Sequence, residues 1–137
     1  MSVVKELIRT ENDGSISFGN YELDTKSKLS DFEHDGDMYK VKTFKEITKL
    51  ERNEMFVYES VPGTTVTGLT YSEKGIAFQV EGSEDAQITV ELEADTAYEI
   101  FINGELADQI LTNLGGKLSF SVELEQASDV AVRIEKQ

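Results

Sequence analysis

The C-terminal half of the chain states one pattern twice. Gly75-Ile76-Ala77-Phe78-Gln79-Val80-Glu81 leads into Ile88-Thr89-Val90-Glu91-Leu92-Glu93. The same register returns 42 residues later as Lys117-Leu118-Ser119-Phe120-Ser121-Val122-Glu123 leading into Val130-Ala131-Val132-Arg133-Ile134-Glu135. Phe78 matches Phe120, Val80 matches Val122, Ile88 matches Val130 and Val90 matches Val132 at that one offset. Strict alternation of apolar and polar residues is the mark of a half-buried β-strand, so each copy reads as two strands. A doubled strand pair constrains architecture far more than chemistry, because folds of this kind carry many unrelated functions.

Around the repeat, period-2 runs recur between turn residues. They span Thr64 to Tyr71, Gly75 to Gly82, Ala86 to Glu93, Ala97 to Asn103, Glu105 to Leu111, Lys117 to Leu124 and Asp129 to Glu135. Seven short strands with regular turns suit a small Greek-key sandwich. Asn103-Gly104 is the strongest turn signal, because a two-residue hairpin needs positive φ at both central positions. Alternation assigns Ile76, Phe78, Val80, Ile88, Val90, Leu92, Tyr98, Ile100, Ile102, Leu118, Phe120, Val122, Val130, Val132 and Ile134 to the core. Gln79, Glu81, Thr89, Glu91, Glu99, Ser119, Ser121, Glu123 and Arg133 are expected to face water. Phe101, between two inward isoleucines, points outward and is expected at a packing or contact surface.

The first 63 residues are less regular. Ser15 to Phe18 and Tyr21 to Leu23 read as short strands, Asp35-Gly36 as a hairpin turn before Met38 to Phe44, and Met55 to Ser60 as a strand ended by Pro62-Gly63. Lys45 to Asn53 reads as loop with one turn of helix, and Val3, Val4, Leu7 and Ile8 have helical spacing over a stretch too short to exclude a strand. The expected architecture is therefore all-β: an irregular N-terminal β lobe over residues 1–63 and a seven-strand immunoglobulin-like β-sandwich lobe over residues 64–137.

Charge and composition narrow the function classes. The chain has 27 acids and 13 bases, a net charge of −14. Residues 1–63 hold 13 acids and 9 bases (−4), residues 64–137 hold 14 acids and 4 bases (−10), and the two sum to −14. Such a field repels phosphate backbones and anionic lipid, so neither nucleic acid nor a membrane surface is an expected partner. With no cysteine there is no disulfide framework, thiolate nucleophile or sulfur-ligated metal. The N-terminus lacks the apolar run of a signal peptide, which makes the cytoplasm the expected location unless a leader has been removed.

His34 is the single histidine, leaving one imidazole base and no multi-histidine metal site. No nucleophile elbow, phosphate loop, dinucleotide fingerprint or zinc-protease motif occurs. Asp31, Glu33, Asp35 and Asp37 alternate around a turn and form the one dense set of oxygen ligands. Their spacing does not match the twelve-residue calcium loop, so a solvated hairpin turn is the expected reading, with calcium as the alternative and otherwise no cofactor. For a glycan, an exposed ring beside polar groups is required. Tyr58, Tyr71 and Phe101 are the candidates, set against their use as core. A small glycan hydrolase would need two carboxylates facing across a cleft, and 27 acids make any such pair uninformative in sequence.

Ser17-Phe18-Gly19-Asn20-Tyr21, Asp37-Met38-Tyr39-Lys40-Val41-Lys42-Thr43, Glu46 to Asn53 and Met55 to Thr64 resemble a family of small uncharacterised proteins from anaerobic Firmicutes, over essentially the whole length. Its members often carry the label endosialidase. That activity implies an arginine cluster for the sugar carboxylate, and this chain has only Arg9, Arg52 and Arg133. The C-terminal half is similar to the immunoglobulin- or fibronectin-like accessory modules of carbohydrate-active enzymes. Neither resemblance transfers a functional residue. A non-enzymatic binding or assembly module, forming a homo-oligomer with a glycan or protein partner, is the expected function; a carbohydrate-binding module is the alternative.

Overall fold

The computed structural model describes residues 3–125 and 129–137. Among them lie thirteen strands and no helix: β1 (Ile8–Thr10), β2 (Ile16–Phe18), β3 (Ser27–His34), β4 (Asp37–Phe44), β5 (Ile47–Arg52), β6 (Met55–Val61), β7 (Thr65–Tyr71), β8 (Gly75–Glu81), β9 (Ala86–Glu91), β10 (Ala97–Ile102), β11 (Glu105–Leu111), β12 (Lys117–Val122) and β13 (Val130–Lys136). They form two antiparallel sheets, one ordered β1-β2-β7-β8-β13-β10-β11 and the other β12-β9-β6-β5-β4-β3. All seven strands expected after residue 63 are present.

The repeat acquires a spatial meaning in this topology. β8 and β9 lie in different sheets, as do β12 and β13; β8 pairs with β13 and β9 pairs with β12. The sequence match therefore relates a strand of one sheet to a strand of the other. Its pairings place Val80 opposite Val130 and Phe120 opposite Ile88. Every inward position of the two copies is buried except Leu92, which packs partly buried against the same core.

Pro62-Gly63 carries the chain from β6 in one sheet to β7 in the other, and each sheet takes strands from both sides of it. The core is correspondingly shared. Phe18 and Tyr58 meet edge to face at 5.3 Å, and Tyr58 and Phe78 at 5.7 Å, so rings from both halves of the sequence interlock. Beside them lies a chain of buried hydroxyls. Thr43 and Thr48 share a hydrogen bond of 2.8 Å, Thr48 donates to the Thr64 carbonyl at 2.8 Å, and the Thr64 hydroxyl meets Tyr58 at 2.8 Å and Ser60 at 2.7 Å. These groups are fully buried and mutually satisfied, which is what makes polar residues tolerable there.

Several N-terminal expectations are corrected. Residues 47–52 form β5 rather than loop and helix, because Thr48 and Leu50 alternate into the core opposite Thr43 and Val41. The β5–β6 hairpin turns at Asn53 and Glu54, both at positive φ (52° and 68°), a turn that the residue types do not advertise. Tyr21 to Leu23 is no strand: the Asn20 side chain accepts the Glu22 amide at 3.0 Å and closes a turn. Val3 to Leu7 forms a turn, with the Leu7 amide donating to the Val4 carbonyl at 3.0 Å, and Ile8 begins β1. β3 escapes the pattern reading because a bulge between Leu29 and Phe32, with Asp31 at φ 61°, breaks its alternation. The hairpin turns at Asp35-Gly36 and Asn103-Gly104 stand as expected, all four residues at positive φ.

Glu81, expected to face water, is only 3 % exposed. It closes β8 where the chain crosses between sheets, and alternation no longer governs its environment. One carboxylate oxygen accepts the Tyr21 hydroxyl at 3.1 Å, while no donor among the described residues reaches Oε1. Burial holds the Glu81 carboxyl above its ordinary pKa, partly offset by the Tyr21 hydrogen bond. The folded state thus holds this proton more tightly than the unfolded chain, so the protonated carboxyl favours folding at low pH and that contribution is lost as pH rises through the raised value. Glu81→Gln is expected to stabilise the protein by about 1 to 3 kcal/mol near pH 8 and by little near pH 4, read by thermal denaturation at both. An equal effect at both pH values would refute the charge-based account.

Candidate functional site

The three rings singled out in the sequence do not converge. Tyr58 is fully buried, its hydroxyl held by Thr64, so it serves the core and cannot be a sugar platform. Burial raises its hydroxyl pKa above the tyrosine range. Phe101 sits half-buried on the outer face of the seven-stranded sheet, opposite Arg133 on β13, whose guanidinium lies 4.1 Å from the ring centroid. Arg133 is itself paired to Glu135 at 2.7 Å. The outward direction expected for Phe101 holds, and an arginine covers its ring.

Tyr71 ends β7 and is 40 % exposed. Its ring carries the Arg52 guanidinium at 4.6 Å, while burial of its hydroxyl end and the nearby Tyr39 raise its pKa. Tyr71 and Arg52, together with Asn53, Phe56, Glu91 and Tyr98, line a cleft of about 370 Å³ at one end of the two sheets. At its far wall Lys136 donates to Glu93 at 2.5 Å, which ties β13 to the residues after β9. Arg52 entered the sequence reading only as one of three arginines too few for a cluster. Its place beside Tyr71 depends on the β5–β6 hairpin, which pattern alone does not reveal.

The acidic quartet stays spread along one hairpin. Asp31, Glu33 and Asp35 are exposed, and Asp37 accepts a hydrogen bond from the Asn53 side chain at 2.9 Å. Among the described residues no three His, Cys, Asp or Glu side chains are grouped to hold a metal ion. His34 has a structural setting: its Nδ1 lies 2.9 Å from the Thr10 hydroxyl and its ring 5.9 Å from that of Tyr39, linking the edge strands β1 and β3 of the two sheets.

The strand expected over Glu105 to Leu111 is β11, and its place at the edge of the sheet is what alternation does not reveal. This edge strand of the seven-stranded sheet is exposed at every residue except Ile110, which is half-buried. Leu106 is 51 % exposed, Leu111 68 % and Leu114, just beyond, 84 %. Its pairing with β10 shifts between Ile100 and Phe101, and Asp108 stands opposite the inward-facing Ile100. A bulge and an inward-facing charge both discourage open-ended strand addition. What remains is three exposed leucines on the edge strand and the loop after it, outside the core that usually accounts for leucine.

The geometry defines a class, an all-β protein of two antiparallel sheets on one core with an exposed apolar edge hairpin and an end cleft. No protein-family model, curated protein or solved structure matches the chain.

Proposed function

We propose that the protein is a non-enzymatic binding or assembly module that self-associates through the β10–β11 hairpin and the residues that follow it. The observation that carries this reading is the combined exposure of Leu106, Leu111 and Leu114 in one segment. Exposed aliphatic side chains repeated along one edge segment offer a surface that a protein contact would cover. The bulge and Asp108 favour a limited contact through side chains over indefinite sheet extension. Light scattering on a size-exclusion column is expected to give a mass that is a multiple of 15.3 kDa. Leu111→Asp with Leu114→Asp is expected to return it to a monomer that still unfolds cooperatively, with a melting temperature that no longer depends on protein concentration, since neither side chain packs into the core of its own chain. A wild-type monomer across the concentration range would overturn the reading.

The end cleft supports a second reading, a carbohydrate-binding module. Tyr71 offers a partly exposed ring flanked by Asn53 and Glu91. A glycan array, with Tyr71→Ala as the control that abolishes any signal, tests it.

A further inference from the structure

The net negative charge conceals a basic row on the outer face of the six-stranded sheet. Lys28 on β3 stands opposite Lys42 on β4, and Lys42 stands opposite Lys49 on β5. Val41 and Thr43 flank Lys42 and are buried, as are Thr48 and Leu50 around Lys49, so both lysines point away from the core, and Lys28 shares the face of its partner. Adjacent strands lie about 4.8 Å apart, which sets three ammonium-bearing side chains in a row roughly 10 Å long. Lys40, two residues from Lys42, lies on the same face opposite Glu51. The four lysines and Glu51 line a groove of about 190 Å³.

Like charges directly opposite each other destabilise a sheet, and here two such pairs stand side by side. Compensation is partial. Lys49 lies 3.5 Å from Glu51 and opposite Glu59, while among the described residues Lys28, Lys40 and Lys42 form no ion pair. Four bases face two acids in a chain whose total charge is −14.

We propose that this groove binds a compact polyvalent oxyanion of the phosphate or sulfate type. Lysine holds such groups as a point charge with three freely directed donors, and a tetrahedral oxyanion, with acceptor oxygens on every side, can take donors from several lysines on neighbouring strands at once. The short row suits two or three linked oxyanion groups. A long polyanion would run off it onto a surface that repels it. The groove lies on the sheet opposite to β11, so it is independent of self-association.

Isothermal titration with inorganic tripolyphosphate tests the assignment on the wild type and on Lys42→Gln. The wild type is expected to bind, and Lys42→Gln to weaken binding about tenfold. Without ligand, Lys42→Gln is expected to melt higher than the wild type, because it removes both like-charge pairs; a structural lysine would lower stability instead. Vesicle sedimentation separates the sources of the group: capture by vesicles with phosphorylated headgroups that tripolyphosphate displaces assigns a lipid-borne group, and no capture assigns a free one. No heat of binding at millimolar tripolyphosphate, unchanged affinity in Lys42→Gln, or equal affinity for a single-stranded oligonucleotide would overturn the proposal.

Discussion

Tyr58→Ala is expected to destabilise the protein by about 3 to 5 kcal/mol, a large share of the usual total of about 5 to 15 kcal/mol. Two terms combine. The ring fills the space between Phe18 and Phe78, so truncation leaves a cavity that strands of both sheets would have to close. Its hydroxyl also partners Thr64, whose own hydroxyl would keep only Ser60. Tyr58→Phe separates the terms, since it keeps the ring and loses the hydrogen bond, at an expected cost of about 1 kcal/mol. Urea denaturation of the two variants measures both. Similar losses would mean that the hydroxyl chain, rather than ring stacking, holds the sheets together.

Gly116→Ala is the second large effect. Gly116 precedes β12 at φ 78°, and an added Cβ would lie 2.2 Å from the Leu92 carbonyl oxygen. That carbonyl cannot easily retreat, because the Leu92 amide donates to the Gly116 carbonyl at 2.7 Å and fixes the two segments together. The strained φ and the clash are expected to cost at least about 2 kcal/mol. Gly104→Ala is the comparison: its φ of 85° carries similar strain, but nothing lies within 4 Å of the added carbon. Melting temperatures should fall clearly further for Gly116→Ala than for Gly104→Ala, and equal losses would show that backbone strain alone matters.

The parts of this fold that can be read from the chain are those where alternation is clean and turns are glycine-marked. Phe78, Val80, Ile88 and Val90 needed nothing beyond period 2. The first half hides its strands because its inward positions include Thr43, Thr48 and Ser60, which a hydrophobic pattern counts as surface although all three are buried. Bulges do the rest: the register between β5 and β6 shifts at Leu50 and Glu51, and both Val57 and Tyr58 end up buried on neighbouring positions. That is why Tyr58 could be taken for a platform ring. Glu81 fails for a related reason, since a crossing between sheets buries both faces of a strand end. The lysine row is invisible in sequence because Lys28 lies on the bulged β3, and opposition across strands is fixed only by register.

The candidate surfaces divide in the same way. The outward direction of Phe101 follows from its neighbours, whereas the Arg133 that covers it comes from a strand far along the chain. The exposure of Leu106, Leu111 and Leu114 follows from β11 being the last strand of its sheet, which is a property of topology. Alternation alone would have assigned half of that strand to the core.

Amide hydrogen exchange as a function of protein concentration tests the assembly reading most directly. It predicts that protection in Glu105 to Gly116 rises with concentration while the edge strands β1 and β3 exchange at constant rates. Exchange in Glu105 to Gly116 that does not change from dilute to concentrated solution would contradict it.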